Sequence, residues 1–212
     1  GSIDSRLVMR IPDFYREDYG ALLSNTQGSA SVWWCDATRK VPRGRAAPSK
    51  TDTAVRISAA RHDYEAAQIV VRPTKDLTGL TATVSDLVDP SGNRIDKANV
   101  EICEVAYHYV HHPTDSVGVR DWWPDALPPI HGGINVEAGQ NQPLWVLVYV
   151  PPKTRAGNYT ATVKIAAEGF QQDVELKLRV WDFELPERNH LETAFGFSPG
   201  EVFRYHNLKT EA

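Results

Sequence analysis

Asp121-Trp122-Trp123-Pro124-Asp125 brackets two indoles with two carboxylates, residue types that work on sugars. Cleavage of a glycosidic bond by the usual route needs two carboxyl groups roughly 5 to 9.5 Å apart across the ring, and indoles offer broad apolar faces for a sugar to pack on. Asp121 and Asp125 are close neighbours on an irregular segment. Their spacing favours a loop that contacts sugar or docks on another domain over a catalytic pair. The bland alternative is that Asp and Trp-Pro form turns and the indoles pin the loop to a sheet. Trp122, Trp123, Asp125 and Asp121 are therefore the candidate substrate-binding or docking residues, and no catalytic residue is assigned.

Other constellations carry less. His108, His111, His112 and Asp115 cluster with Tyr107 and Tyr109, but on a strand His108 and His112 share one face while His111 takes the other, so adjacent imidazoles do not converge on a metal without a bulge. His131 could complete such a set only through the fold. No metal is assigned. Trp33-Trp34 followed by Arg39, Lys40, Arg43 and Arg45 has the aromatic-plus-base make-up of a single-strand nucleic-acid binder. Asp36 interrupts it, and core tryptophans beside a solvated basic loop explain it better. Asn158-Tyr159-Thr160 fits a glycosylation sequon and equally a tight turn opening a strand. Nucleophile elbows, phosphate loops and dinucleotide fingerprints are absent from the sequence, and no cofactor is expected.

The chain has 212 residues, 42% of them hydrophobic, and a formal charge of −4. That suffices for one sizeable core, and the interspersed charges give no attraction to nucleic acid or an anionic membrane. Neither partner is expected. No apolar run approaches the roughly 20 residues of a membrane-spanning helix. Gly1-Ser2 reads as a scar of tag removal, and a secreted or cell-envelope parent fits. Two cysteines, Cys35 and Cys103, are too few for a disulfide framework. They read as buried free thiols, with a single bridge left open.

The elements that must position these residues are strands. Val32–Cys35, Val55–Ala59, Ala67–Pro73, Thr81–Leu87, Val100–His111, Gln142–Val150, Gly157–Val163 and Val180–Leu185 are β-branched, aromatic or alternating, and turn residues separate them. Arg61–Glu65 suits a hairpin or a crossing between sheets. Lys40–Lys50 reads as an exposed loop, and 113–140 as a connection too long to be ordinary, where function would sit. No helical period of comparable length is present. The expected fold is all-β, an antiparallel immunoglobulin-like sandwich of seven or eight strands with few short helices. It divides as an N-terminal segment (1–31), the sandwich (32–188), and the start of a further domain or linker (189–212).

In order along the chain, Trp33-Trp34-Cys35 to Pro48, Arg61 to Pro73, Trp123-Pro124-Asp125-Ala126-Leu127-Pro128-Pro129, Asn141 to Val146, Pro151 to Thr160 and Val180-Trp181-Asp182-Phe183-Glu184-Leu185-Pro186 resemble the N-terminal β-sandwich domain of glycoside hydrolase family 123 and of relatives with a C-terminal domain of unknown function. These pieces cover most of residues 32–197. The resemblance implies a parent in which this sandwich precedes a (β/α)8-type barrel, the partner that carries the chemistry. In the family that chemistry is retaining release of β-linked N-acetylgalactosamine, with the substrate acetamido group as nucleophile and an adjacent Asp-Glu pair of the barrel as orienter and acid/base. Leu191–Phe197 resembles the entry to the first barrel strand. No counterpart of the Asp-Glu pair falls within the 212 residues.

The expectation is thus a non-catalytic sandwich that supports a catalytic barrel and contributes to a glycan-facing cleft, exposing an apolar patch when separated from it. Two alternatives stand beside it: a self-sufficient carbohydrate-binding module, and an immunoglobulin-like protein-interaction domain, for which fold is weak evidence.

Overall fold

The computed structural model describes residues 13–24, 28–114, 118–188, 192, 194, 196 and 198–209. Its strands, in chain order, are β1 (Ala21–Leu23), β2 (Ala30–Asp36), β3 (Thr51–Asp52), β4 (Val55–Arg61), β5 (Asp63–Pro73), β6 (Leu77–Val84), β7 (Leu87–Val88) and β8 (Arg94–Ile95). They continue with β9 (Val100–Glu104), β10 (Tyr107–Tyr109), β11 (Trp122–Pro124), β12 (Ile134–Val136), β13 (Gln142–Val150), β14 (Gly157–Ala167) and β15 (Phe170–Glu184). One short helix, α1 (Pro199–Tyr205), follows.

Two sheets face each other. One is ordered β3-β1-β2-β5-β13-β9, and the other β12-β6-β14-β15-β4 with β7 and β8 at its margin. Pairing is antiparallel except between β1 and β3 and between β15 and β4. The all-β sandwich expected from strand spacing is present.

Alternation builds the core. In β14 and β15, Tyr159, Ala161, Val163 and Ile165 and then Val174, Leu176, Leu178 and Val180 point inward, and each is buried. They meet Ile69, Val71, Leu144, Val146 and Val148 of the opposing sheet in one cluster. Each such side chain contributes about 1.5 to 3 kcal/mol on burial. β4 passes into β5 through His62 alone, whose φ of 58° turns the chain from one sheet to the other. The expected crossing at Arg61–Glu65 is there.

A second, smaller core lies on the outer face of the first sheet. Val70 and Trp33 point away from the sandwich and are covered by Tyr19, Cys35 and Val41. This corrects the expectation of an exposed Lys40–Lys50 loop. The segment is a loop, but Val41 and Arg45 are buried. The Arg45 guanidinium lies 3.8 Å from the Tyr19 ring centroid and 4.9 Å from that of Trp33, and Nη2 donates to the carbonyls of Glu17 (2.8 Å) and Tyr19 (2.7 Å). Ring faces and carbonyl oxygens take the place of water around the cation.

Val100–His111 is also not one strand. β9 pairs with β13, after which Glu104 N–H donates to Pro128 O and Ala106 N–H to Ala126 O. The backbone thus exchanges its sheet partner for the 122–128 segment, and β10 leaves to form a separate ribbon with β11. Cys35 and Cys103 are free and buried, as read from the sequence. Burial pushes the Cys35 thiol up to about 12. The apolar positions Leu191, Phe195 and Phe197 of the expected barrel-entry strand lie outside the described residues, as do Ile11, Pro12 and Asn25–Gln27.

Candidate functional site

Three cross-strand pairs make the β10–β11 ribbon: Tyr107 opposite Pro124, His108 opposite Trp123, and Tyr109 opposite Trp122. Aromatic pairs of this kind stabilise a short ribbon that backbone bonds alone would hold poorly. The strand period of two then sends the adjacent indoles to opposite faces.

Trp123 stacks on Phe14, with centroids 4.2 Å apart and planes at 24°. Its Nε1 donates to Val119 O at 2.8 Å. It pins the loop. Trp122 is 39% exposed, held edge-on by Tyr109 at 5.5 Å and capped on its ring by the Arg43 guanidinium at 5.0 Å. Of the two, Trp122 is the one that faces outward and is held rigid.

The carboxylates part company. Asp121 accepts from the Tyr15 hydroxyl at 2.7 Å and from Trp122 N–H at 2.7 Å. The first bond, with burial and the nearby charge adding to it, raises the Tyr15 phenol to about 12. Asp125 lies 4.0 Å from Lys40 Nζ, and that ammonium also donates to Pro124 O at 3.2 Å. Residues four apart along extended chain are roughly 13 Å apart. That exceeds the span over which two carboxyl groups share a glycosidic bond, so the bracket around the indoles is a feature of sequence and not of a shared cleft.

Two shallow clefts flank the ribbon. Trp122, Tyr107, Arg43, Glu104, Asn135 and Gln142 line one of about 210 Å³. Lys40, Asp125, Gln68, Leu127 and Trp145 are among the residues lining the other, about 140 Å³. Both are smaller than the roughly 300 to 1,000 Å³ of enclosed small-molecule sites. They suit the edge of a larger ligand or a docking surface.

The Trp122 cleft is built from distant segments. Asn141 N–H donates to Arg43 O (2.7 Å), and Asn141 Nδ2 to Pro42 O (2.9 Å) and Arg45 O (2.7 Å), fixing the turn that presents Arg43. Asn135 Oδ1 accepts from Gly79 N–H at 3.1 Å. Gln142 Nε2 donates to Val105 O and Pro143 O, and the Tyr107 hydroxyl to Val41 O at 2.9 Å. Burial raises the Tyr107 phenol far above its ordinary value. Reasoning on the sequence missed Arg43, Glu104, Asn135 and Lys40 as partners of the loop. Only the basic run around Arg43 gave any signal.

His111 and His112 have ring centroids 6.5 Å apart, Tyr109 packs on His111 at 4.7 Å, and Asp115 lies outside the described residues. Among the described residues no three His, Cys, Asp or Glu side chains converge as a metal site, and no helix is long and apolar enough to cross a membrane.

A sequence-family model described as the glycoside hydrolase 123 N-terminal domain matches residues 34–167, more than half of the chain. No curated protein matches. Among solved structures, a family 123 glycoside hydrolase from Clostridium perfringens, studied for the details of glycolipid glycan hydrolysis, aligns with a TM-score of 0.56 at 17% identity. The alignment covers 63% of this chain and 23% of that enzyme, so this chain spans about a quarter of its length, and the likeness is one of fold. The CooA pilin subunit of enterotoxigenic Escherichia coli aligns at TM-score 0.35 and 9% identity, over 75% of this chain and all of the pilin, too weakly to bear on function. The family match over Trp34–Ala167, which takes in β5, the β10–β11 ribbon and β13, places this chain among the N-terminal domains of glycoside hydrolase family 123.

Proposed function

We propose that this chain is the non-catalytic accessory sandwich of a glycoside hydrolase, supporting a catalytic barrel in the parent protein. Residues 32–188 form the accessory domain in this reading, and 189–212 open the barrel or its linker. The family match carries it. Separation of Asp121 and Asp125 into different environments supports it, because the only paired carboxylates singled out in the sequence do not face one substrate. The barrel supplies the acid/base and orienting carboxylates, and β-linked N-acetylgalactosaminides are the substrate class. The test is the parent reading frame beyond Ala212. A barrel-length continuation with an adjacent Asp-Glu pair after a strand supports the reading, and a frame that closes there contradicts it.

A second reading, glycan binding by the sandwich itself, rests on the Trp122 cleft. A fixed indole beside a guanidinium, a carboxylate and two carboxamides offers an apolar face and both donors and acceptors, the mixture that polyhydroxylated ligands require. Trp122→Ala is expected to weaken binding of N-acetylgalactosamine-terminated oligosaccharides by about tenfold, roughly 1.4 kcal/mol, in titration calorimetry. Trp123→Ala acts through loop order and lowers stability as well. Equal affinity of Trp122→Ala and the unsubstituted chain removes the cleft as a sugar site.

A further inference from the structure

β13 reads Pro143-Leu144-Trp145-Val146-Leu147-Val148-Tyr149-Val150, apolar at every position. A strand with one face in water alternates apolar with polar residues, whereas an unbroken apolar run belongs to a strand covered on both faces. Leu144, Val146, Val148 and Val150 fill the sandwich core. Trp145, Leu147 and Tyr149 point the other way and are only half-buried. Across β5 their neighbours are Gln68, Ala66 and Tyr64, and Tyr64 stacks on Tyr149 with centroids 4.5 Å apart while remaining 62% exposed. The opposite sheet behaves differently. The outward positions of β14 and β15 include Asn158, Thr160, Thr162 and Lys164, then Gln171, Asp173, Glu175 and Lys177, a face made for water.

The chain leaves the sandwich beside this apolar face. Leu185 N–H donates to Arg61 O at 2.9 Å, Leu185 O lies 3.2 Å from His62 Nδ1, and the His62 ring packs edge-on to Tyr149 with centroids 6.2 Å apart. Lys153 N–H donates to Glu184 Oε2 at 2.9 Å, which holds the end of β15 as well. Whatever follows Pro186 starts next to Tyr149 on a short tether, so its effective concentration at this face is high.

We infer that the outer face of the β5–β13 pair, centred on Tyr64, Leu147 and Tyr149, is the surface on which the following domain of the parent chain packs. This rests on the accessory reading above, and it makes the Trp122 cleft a separate surface. Family placement supplies the occupant: an N-terminal domain that spans 23% of the related enzyme leaves the larger part of such a protein to follow it.

The test is hydroxyl-radical footprinting of this chain in dilute solution against the parent protein. Tyr64 and Tyr149 are expected to oxidise about tenfold more slowly in the parent, as residues in the dry centre of an interface do. Leu147→Glu in the parent is expected to restore their reactivity, while in the isolated chain it leaves the β-sheet circular dichroism unchanged. An active, barrel-bearing parent in which Tyr64 and Tyr149 react as they do in the isolated chain overturns this inference alone. So does protection confined to Trp181 and Phe183 on the outer side of the other sheet. A parent without a barrel overturns the accessory reading and this inference together.

Discussion

Trp33→Ala is expected to cost this chain about 3 to 5 kcal/mol, the range for deleting a large aromatic from a packed interior. Trp33 is fully buried, yet it sits outside the main sandwich core, on the outer face of β2 against Tyr19, Cys35, Val41 and Val70. It also forms one wall around the Arg45 guanidinium, 4.9 Å from its ring centroid. Removing the indole leaves a void beside a buried cation, so the loss of dispersion contacts adds to weaker solvation of the charge. The consequence reaches the surface, because Val41 and Arg45 anchor the turn that presents Lys40 to one cleft and Arg43 to the other. Urea unfolding followed by circular dichroism measures the change. A loss below about 1 kcal/mol, the level of an ordinary surface substitution or slightly above, contradicts the assignment of this cluster as a second core.

Gly133→Ala is the other large effect. Gly133 has φ of +85°, and a Cβ there would lie 2.7 Å from Gly79 Cα and 2.8 Å from its carbonyl carbon. Two backbones approach at this point, where β12 joins the edge of β6 through Ile134 opposite Leu80. Left-handed strain of about 1 to 3 kcal/mol combines with a contact against rigid backbone that overpacks by about 1 to 3 kcal/mol. The combined loss is expected at about 2 to 4 kcal/mol, or detachment of β12, which carries Asn135 out of the Trp122 cleft. Gly132→Ala is the control: φ is +71° with nothing within 4 Å of the added Cβ, leaving only the left-handed cost of roughly 1 to 2 kcal/mol. Equal thermal shifts for the two variants contradict a steric role for the Gly133–Gly79 approach.

Much of the sandwich is legible in the chain because alternation survives wherever one face is core. β13, β14 and β15 announce themselves in this way, and His62 sits where the Arg61–Glu65 punctuation demands a crossing. The division of Val100–His111 was not legible, since Val105 and Ala106 continue the β-prone composition. What ends the strand is a change of partner, and pairing is not written in one segment. Burial of Arg45 was equally hidden. Basic runs are ordinarily solvated, and only Tyr19 and Trp33, brought together by β2 and the residues before β1, make an interior position tolerable. At the site, the strand period requires that Trp122 and Trp123 face opposite ways, but residue type does not say which faces out. Phe14 decides it by stacking on Trp123. Arg43, Glu104 and Asn135 reach Trp122 through register alone, and no local motif could have joined them.

Hydrolysis of an aryl β-N-acetylgalactosaminide by the parent protein and by this chain, at equal concentration, tests the central claim most directly. The account predicts turnover by the parent and none above buffer by residues 1–212. Turnover by this chain alone, abolished by Asp121→Asn or Asp125→Asn, would show that the sandwich carries its own catalytic carboxylates and contradict its assignment as an accessory domain.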